Sequence, residues 1–143
     1  MKATLVRSLA ALMLAASAGC EGGAYSIDHR VEDLVTIDHG LYGQVTAVND
    51  VGNVEESYLP GFAIDAYEVP PGTELGAPVA ITSSRLPRGF YEVALPAGDH
   101  VVCTRFLRCV LVTLAEGELR RLDYELGVGP GWSGGTPWPG PTP

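Results

Sequence analysis

Residues 89–102 read Gly89-Phe90-Tyr91-Glu92-Val93-Ala94-Leu95-Pro96-Ala97-Gly98-Asp99-His100-Val101-Val102. Tyr91, Val93 and Leu95 share one parity and Glu92 the other. That period of two places apolar side chains on one face of a strand. Pro96-Ala97-Gly98-Asp99 is turn chemistry, because Pro presets its own φ and Gly accepts conformations closed to other residues. A second apolar stretch, His100 to Arg105, follows at once. Strand, tight turn and strand in immediate succession read as two consecutive β-strands.

The same alternation of short apolar runs and turn residues extends in both directions. Leu41–Val48, Phe62–Val69 and Val79–Ser83 precede the quoted stretch. Cys109–Leu114 and Leu119–Leu126 follow its two strands, Phe90–Leu95 and His100–Arg105. In Phe62–Val69, Ile64 and Ala66 lie opposite Asp65 and Tyr67. In Leu119–Leu126, Leu122, Tyr124 and Leu126 point inward, and Arg121, Asp123 and Glu125 point outward. His100–Arg105 and Cys109–Leu114 are apolar on both faces, so the pattern does not orient them. Gly 18 and Pro 11 favour turns over helices. The prediction is an all-β, seven-stranded antiparallel two-sheet sandwich over residues 41–126. Residues 20–40 read as a leader with one short strand near Leu34–Ile37. In residues 127–143, 11 of 17 are Gly or Pro; such a tail buries too little apolar surface to offset its ordering entropy, and disorder is expected.

The first 19 residues have the order of a secretory signal: Lys2 and Arg7, then the apolar run Leu9 to Ala16, then small residues. The run is shorter than the about 20 residues a membrane span needs. Cleavage after Ala18, at Ala16-Ser17-Ala18, would release a soluble secreted protein. Ser17-Ala18-Gly19-Cys20 instead resembles the bacterial lipobox, whose cysteine is lipidated and becomes the new N-terminus; that family prefers Leu where Ser17 stands. Cysteine parity favours lipidation. Of three cysteines, Cys103 and Cys109 can pair, and the odd exported thiol, Cys20, needs a role. Palmitate-type acyl chains on Cys20 would hold the protein at a membrane, since each buried methylene contributes about 0.8 kcal/mol.

Lys2 and Arg7 account for two of the nine basic residues, leaving seven against seventeen acids. An acidic body whose basic residues are all arginine repels phosphate, which argues against nucleic acid and against electrostatic adhesion to anionic lipid.

The turn positions carry a family resemblance. Leu41-x-Gly43-x-Val45 with Asp50-x-Gly52, Pro60-Gly61-Phe62-x-Ile64, Gly89-Phe90-Tyr91-x-Val93-x-Leu95-Pro96-x-Gly98-x-His100-x-Val102, then Gly117 and Asp123-Tyr124-x-Leu126, resemble the transthyretin-like, carboxypeptidase-regulatory-type sandwich. The resemblance implies an accessory domain appended to exported proteins, without intrinsic catalysis. Enzymes sharing that fold include hydroxyisourate hydrolases, whose C-terminal Tyr-Arg-Gly-Ser is absent. The Cys103–Cys109 pair is not a general family feature.

Several constellations invite chemistry. Cys103 and Cys109 would face each other across a hairpin at Cα separations of about 4.5 to 5.5 Å, within disulfide reach; they lack the C-x-x-C redox spacing, and a metal reading adding His100 lacks a fourth ligand. Ile27-Asp28-His29 and Ile37-Asp38-His39 could hold a transition metal in the leader. Ser83 or Ser84 with His100 and Asp99 could form a nucleophile, but no Gly-x-Ser-x-Gly elbow holds a serine. Trp132 and Trp138 could anchor a partner, or one could fold back on the sandwich. Arg105, Arg108, Arg120 and Arg121 could receive a carboxylate or pair with surface acids.

The sequence thus predicts a non-enzymatic envelope lipoprotein without cofactor or resident metal, membrane-anchored through Cys20, in the outer membrane if the cell has one. Its sandwich would be a structural or protein-binding module for an unidentified envelope protein. The alternatives are a carbohydrate- or peptide-binding module and a small metal site in the Asp-His leader.

Overall fold

A computed structural model describes residues 31–47, 58–72, 74–104, 108–127 and 131–143. A 3-10 turn at Glu32–Leu34 precedes β1 (Gly40–Ala47), β2 (Ala63–Glu68), β3 (Ala80–Ser83), β4 (Phe90–Val93), β5 (Gly98–Thr104), β6 (Cys109–Leu114), β7 (Leu119–Arg121), β8 (Tyr124–Leu126) and β9 (Thr136–Pro137). The strands form two sheets. One runs β4-β1-β7 with β8 also on β1; the other runs β3-β2-β5-β6-β9. Among the described residues no helix is long and apolar enough to cross a membrane.

The inner faces follow the predicted alternation. Leu41 and Val45 of β1, Tyr91 and Val93 of β4, and Leu122 and Tyr124 meet Ile64, Ala66, Val102, Val110, Val112 and Leu114 of the other sheet in one core. Tyr91 is fully buried, and its hydroxyl donates to the Leu122 carbonyl, so a polar atom enters the core with its partner supplied.

Four expectations change. First, the sandwich is not wholly antiparallel: β1 pairs antiparallel with β4 but parallel with β7 and β8. No hairpin joins β1 to β7, so no turn dictates their relative direction. Second, Leu119–Leu126 is broken into two strands on one register, Gly40↔Leu119 and Val45↔Tyr124. The break lies opposite Gly43, where an added Cβ would run into the Leu122 carbonyl oxygen. Only a residue without a side chain lets the two backbones approach this closely. Third, the leader holds the 3-10 turn rather than a strand near Leu34–Ile37, because the Thr36 N–H goes to the Glu92 carboxylate and not to a ladder carbonyl.

Fourth, residues 131–143 are not a disordered tail, and the folded unit exceeds residues 41–126 at both ends. Trp132 is 7% exposed and joins the main core. Its ring sits edge-on to Tyr124, centroids 5.0 Å apart, and Tyr124 in turn stacks on Phe62 at 5.5 Å. Its indole N–H donates to the Arg108 carbonyl at 2.9 Å. β9 then pairs with β6, and Trp138 packs with Tyr67, Val101, Cys103, Cys109, Leu111 and Leu75 in a second cluster on the outer face of the five-stranded sheet. Composition alone undervalued two large aromatic rings, each of which brings more apolar area than several Gly or Pro residues forgo.

Cys103 and Cys109 form the expected disulfide across the β5–β6 register, with Cα atoms 4.1 Å apart. The pair faces outward, into the cluster beneath Trp138.

Two measurements check this packing. Trp132→Ala should cost about 3 to 5 kcal/mol in denaturant unfolding, the range for emptying a buried aromatic site; a tail merely appended to the sandwich would give no change. Replacing Cys103 and Cys109 together by Ser should cost about 2 to 2.5 kcal/mol, the chain-entropy value for so short a loop.

Candidate functional site

The outward residues of the four-stranded sheet form a connected polar network. The period of two brings Tyr42, Gln44 and Thr46 to the outer face of β1. Arg121 ends β7, and Asp123 lies in the break before β8. Asp123 Oδ1 accepts the Gln44 N–H at 2.9 Å, standing in for the carbonyl that an unbroken ladder would present. Its Oδ2 accepts Arg121 Nε–H at 3.0 Å. Arg121 Nη1 donates to Glu32 Oε1 at 3.0 Å, and Nη2 to Gln44 Oε1 at 3.3 Å. Burial opposes the charge on Arg121, but the Asp123 and Glu32 carboxylates outweigh it and hold the guanidinium above its ordinary range.

A second clamp lies on β4. Glu92 accepts Thr36 N–H at 2.8 Å and Thr36 Oγ1–H at 2.7 Å, and its Oε1 also accepts from Arg85 Nη2 at 3.0 Å. Arg85 lies over the buried Phe90 ring, 4.7 Å from its centroid. Burial raises the Glu92 carboxyl, yet the two Thr36 hydrogen bonds and the Arg85 guanidinium together hold it below its ordinary value. Glu32 and Thr36 therefore tie the leader to the sheet, and Val31 beside them is fully buried.

Beside Arg121 opens a hollow of about 350 Å³ lined by Gln44, Thr46, Asp123, Glu125 and Ser133. It offers carboxylates, an amide and hydroxyls. Its guanidinium is already bonded to Asp123, Glu32 and Gln44 in the folded chain. The arrangement fastens Glu32, Gln44, Arg121 and Asp123 together; Ser133 completes it, its Oγ accepting the Asp123 N–H at 2.8 Å.

The other candidate residues are placed apart. Ser84 is 2% exposed, and its hydroxyl donates to the Leu59 carbonyl and accepts the Phe62 N–H at 2.9 Å, closing a turn. His100 is 3% exposed on the inner side of β5. Its Nε2 lies 2.9 Å from the Pro96 carbonyl and so carries the hydrogen, while Nδ1 has no partner. Thr82 is level with Thr104 and Glu68 with His100, so Ser84 and His100 stand toward opposite ends of the sheet. Ser83 is exposed on β3, and Asp99 accepts from Thr113 at 2.5 Å. Serine, histidine and aspartate do not converge.

Asp38 and His39 bond to each other at 2.6 Å on the surface. Cys20, Asp28, His29 and Arg105 lie outside the described residues. Among the described residues no three His, Cys, Asp or Glu side chains gather as a metal site. Arg120 pairs with Glu118 at 2.6 Å, and the Arg108 carbonyl holds Trp132. Trp132 is in the core, and Trp138 is half-buried over the disulfide. Sequence reasoning missed Glu32, Thr36, Gln44 and Glu92 as a set. The outward parity of Arg121 and Asp123 was the one signal, and their partner Glu32 is 89 residues away from Arg121.

No protein-family model, curated protein or solved structure matches this chain.

The Glu92 clamp gives the fold an acid limb. A carboxyl held below its ordinary value of 4.5 binds fewer protons folded than unfolded. Its stabilisation is complete above that value and disappears as pH falls through the lowered one. Urea midpoints taken at neutral pH and near about pH 3 should therefore fall less between the two conditions for Glu92→Gln than for the wild type. Equal losses in the two proteins would remove Glu92 from the acid response.

Proposed function

We propose that this chain is an exported, lipid-anchored envelope protein whose sandwich is a non-enzymatic structural or protein-binding module of the transthyretin-like, carboxypeptidase-regulatory type. The observation that carries the anchor is the Cys103–Cys109 disulfide. With those two thiols joined, Cys20 is the remaining cysteine of the three, and it ends Ser17-Ala18-Gly19-Cys20 directly after the apolar run. An exported chain with an odd cysteine beside a lipobox-like sequence has a chemical use for that thiol.

The fold assignment is supported by where the motif residues lie. Gly43 sits at the close approach of β1 to Leu122, Tyr91 and Val93 line the core from β4, and Pro96 and Gly98 lead into β5. The module reading is supported by the commitment of the polar candidates to structural bonds: Ser84 to a turn, Asp99 to Thr113, Arg121 to the leader. Among the described residues every Tyr and Trp is buried or half-buried, which favours a protein-binding module over a glycan-binding aromatic platform.

Cys20→Ser should move the protein from the membrane to the soluble fraction, and the intact mass of the wild type should exceed that of the bare chain by a lipid. A wild-type chain of unmodified mass beginning at Gly19 would refute the anchor.

A further inference from the structure

Among the described residues the exposed large apolar side chains are Val69, Val79, Ile81, Leu86 and Leu119. The first four gather on or beside β3, which ends the five-stranded sheet. Ile81 is 68% exposed and Leu86 70%. An edge strand carries a row of backbone donors and acceptors, and natural edges are commonly guarded by lysine or another charge. The only lysine is Lys2, and residues 75–84 carry no charge at all.

The hydrogen bonding of β3 fixes which groups face outward. Ser84 N–H goes to the Phe62 carbonyl, and Thr82 is level with Ile64. By antiparallel alternation, the backbone groups of Ile81 and Ser83 point away from β2.

We propose that β3 is the contact edge of a homodimer, in which two copies pair antiparallel and join their five-stranded sheets. Three features select a second copy as the occupant. The chain carries a net charge of −8, and residues 75–84 form an uncharged run where a like-charged copy approaches without direct repulsion. The flanks are oppositely charged, with Glu74 before the run and Arg88 after it; antiparallel pairing lays the acidic flank of one copy toward the basic flank of the other. The outward groups also suit a two-fold axis: the Val79 N–H is given to the Ala66 carbonyl, so the pairing centres on Thr82 and sets Ile81 of each copy opposite Ser83 of the other, a self-complementary contact. Pro78 and Pro87 bracket the strand and keep the pairing short. This inference goes beyond the proposed function and rests on the folded sandwich, not on the anchor; fractionation decides the anchor, and association decides the dimer.

Sedimentation velocity of the full exported chain carrying Cys20→Ser should show a concentration-dependent dimer. Adding Ile81→Lys should give a monomer that still melts in one cooperative transition, because that side chain lies in solvent on the single chain. Adding Leu119→Lys should leave the dimer intact. Ile81→Cys combined with Ser83→Cys should form a covalent dimer on oxidation, since hydrogen-bonded antiparallel partners have Cα atoms about 5.5 Å apart, within disulfide reach; Leu119→Cys should not. A wild-type chain that stays monomeric up to about 1 mM, including one whose β3 instead receives an extended segment of another protein, would overturn the proposal. So would a dimer that survives Ile81→Lys.

Discussion

Val101 and Val102 are neighbours on β5, they point to opposite sides of the sheet, and both are fully buried. A sheet apolar on both faces has to be covered on both. The four-stranded sheet covers one side, packing Leu41, Val45 and Tyr91 toward Val102. The other side falls to segments too short to make a third layer: Leu75 from the β2–β3 connection and Trp138 from the C-terminal end. The disulfide lies in that thin layer. Where few side chains are available to exclude water, a covalent link across the hairpin lowers the entropy of the unfolded chain and compensates for a small cluster.

The two outer faces are finished in different ways. The five-stranded sheet is capped by apolar contact. The four-stranded sheet is capped by the leader, through one buried valine and two groups of charge-assisted hydrogen bonds around Arg121 and Glu92. Partly exposed ion pairs contribute little each and weaken with salt. The Arg121 network gains from serving three partners at once, with the guanidinium fork preorganised for them. The leader is nonetheless the less firmly held of the two covers, and elements with few buried contacts open first.

The proposed function draws on what this covering leaves accessible. The hydroxyls, the buried imidazole and the guanidinium that could have served chemistry are occupied in turns, in the core and in the leader clamp. Among the described residues, an edge of the five-stranded sheet and a polar hollow beside Arg121 stay accessible. Under the proposed function both would serve recognition of another surface. In the proposed arrangement the lipid enters through Cys20, eleven residues ahead of Val31, and the β3 edge stays available for association.

Period-two spacing placed Tyr91, Val93, Leu122 and Tyr124 in the core, because alternation is a local property of any extended chain. The Cys103–Cys109 pair was equally legible, since a hairpin sets its partners by counting residues from the turn. The all-β class, the strand positions to within a few residues and the parity of cysteines were thus determined by the sequence itself. The parallel docking of β1 on β7, the break opposite Gly43 and the meeting of Glu32 with Arg121 were decided only in three dimensions. So was the folding-back of Trp132 and Trp138, which Gly and Pro content argued against. The physical reason is the same for each. These contacts join segments distant in the chain, and their free energy comes from surfaces that exist only after both sheets have formed.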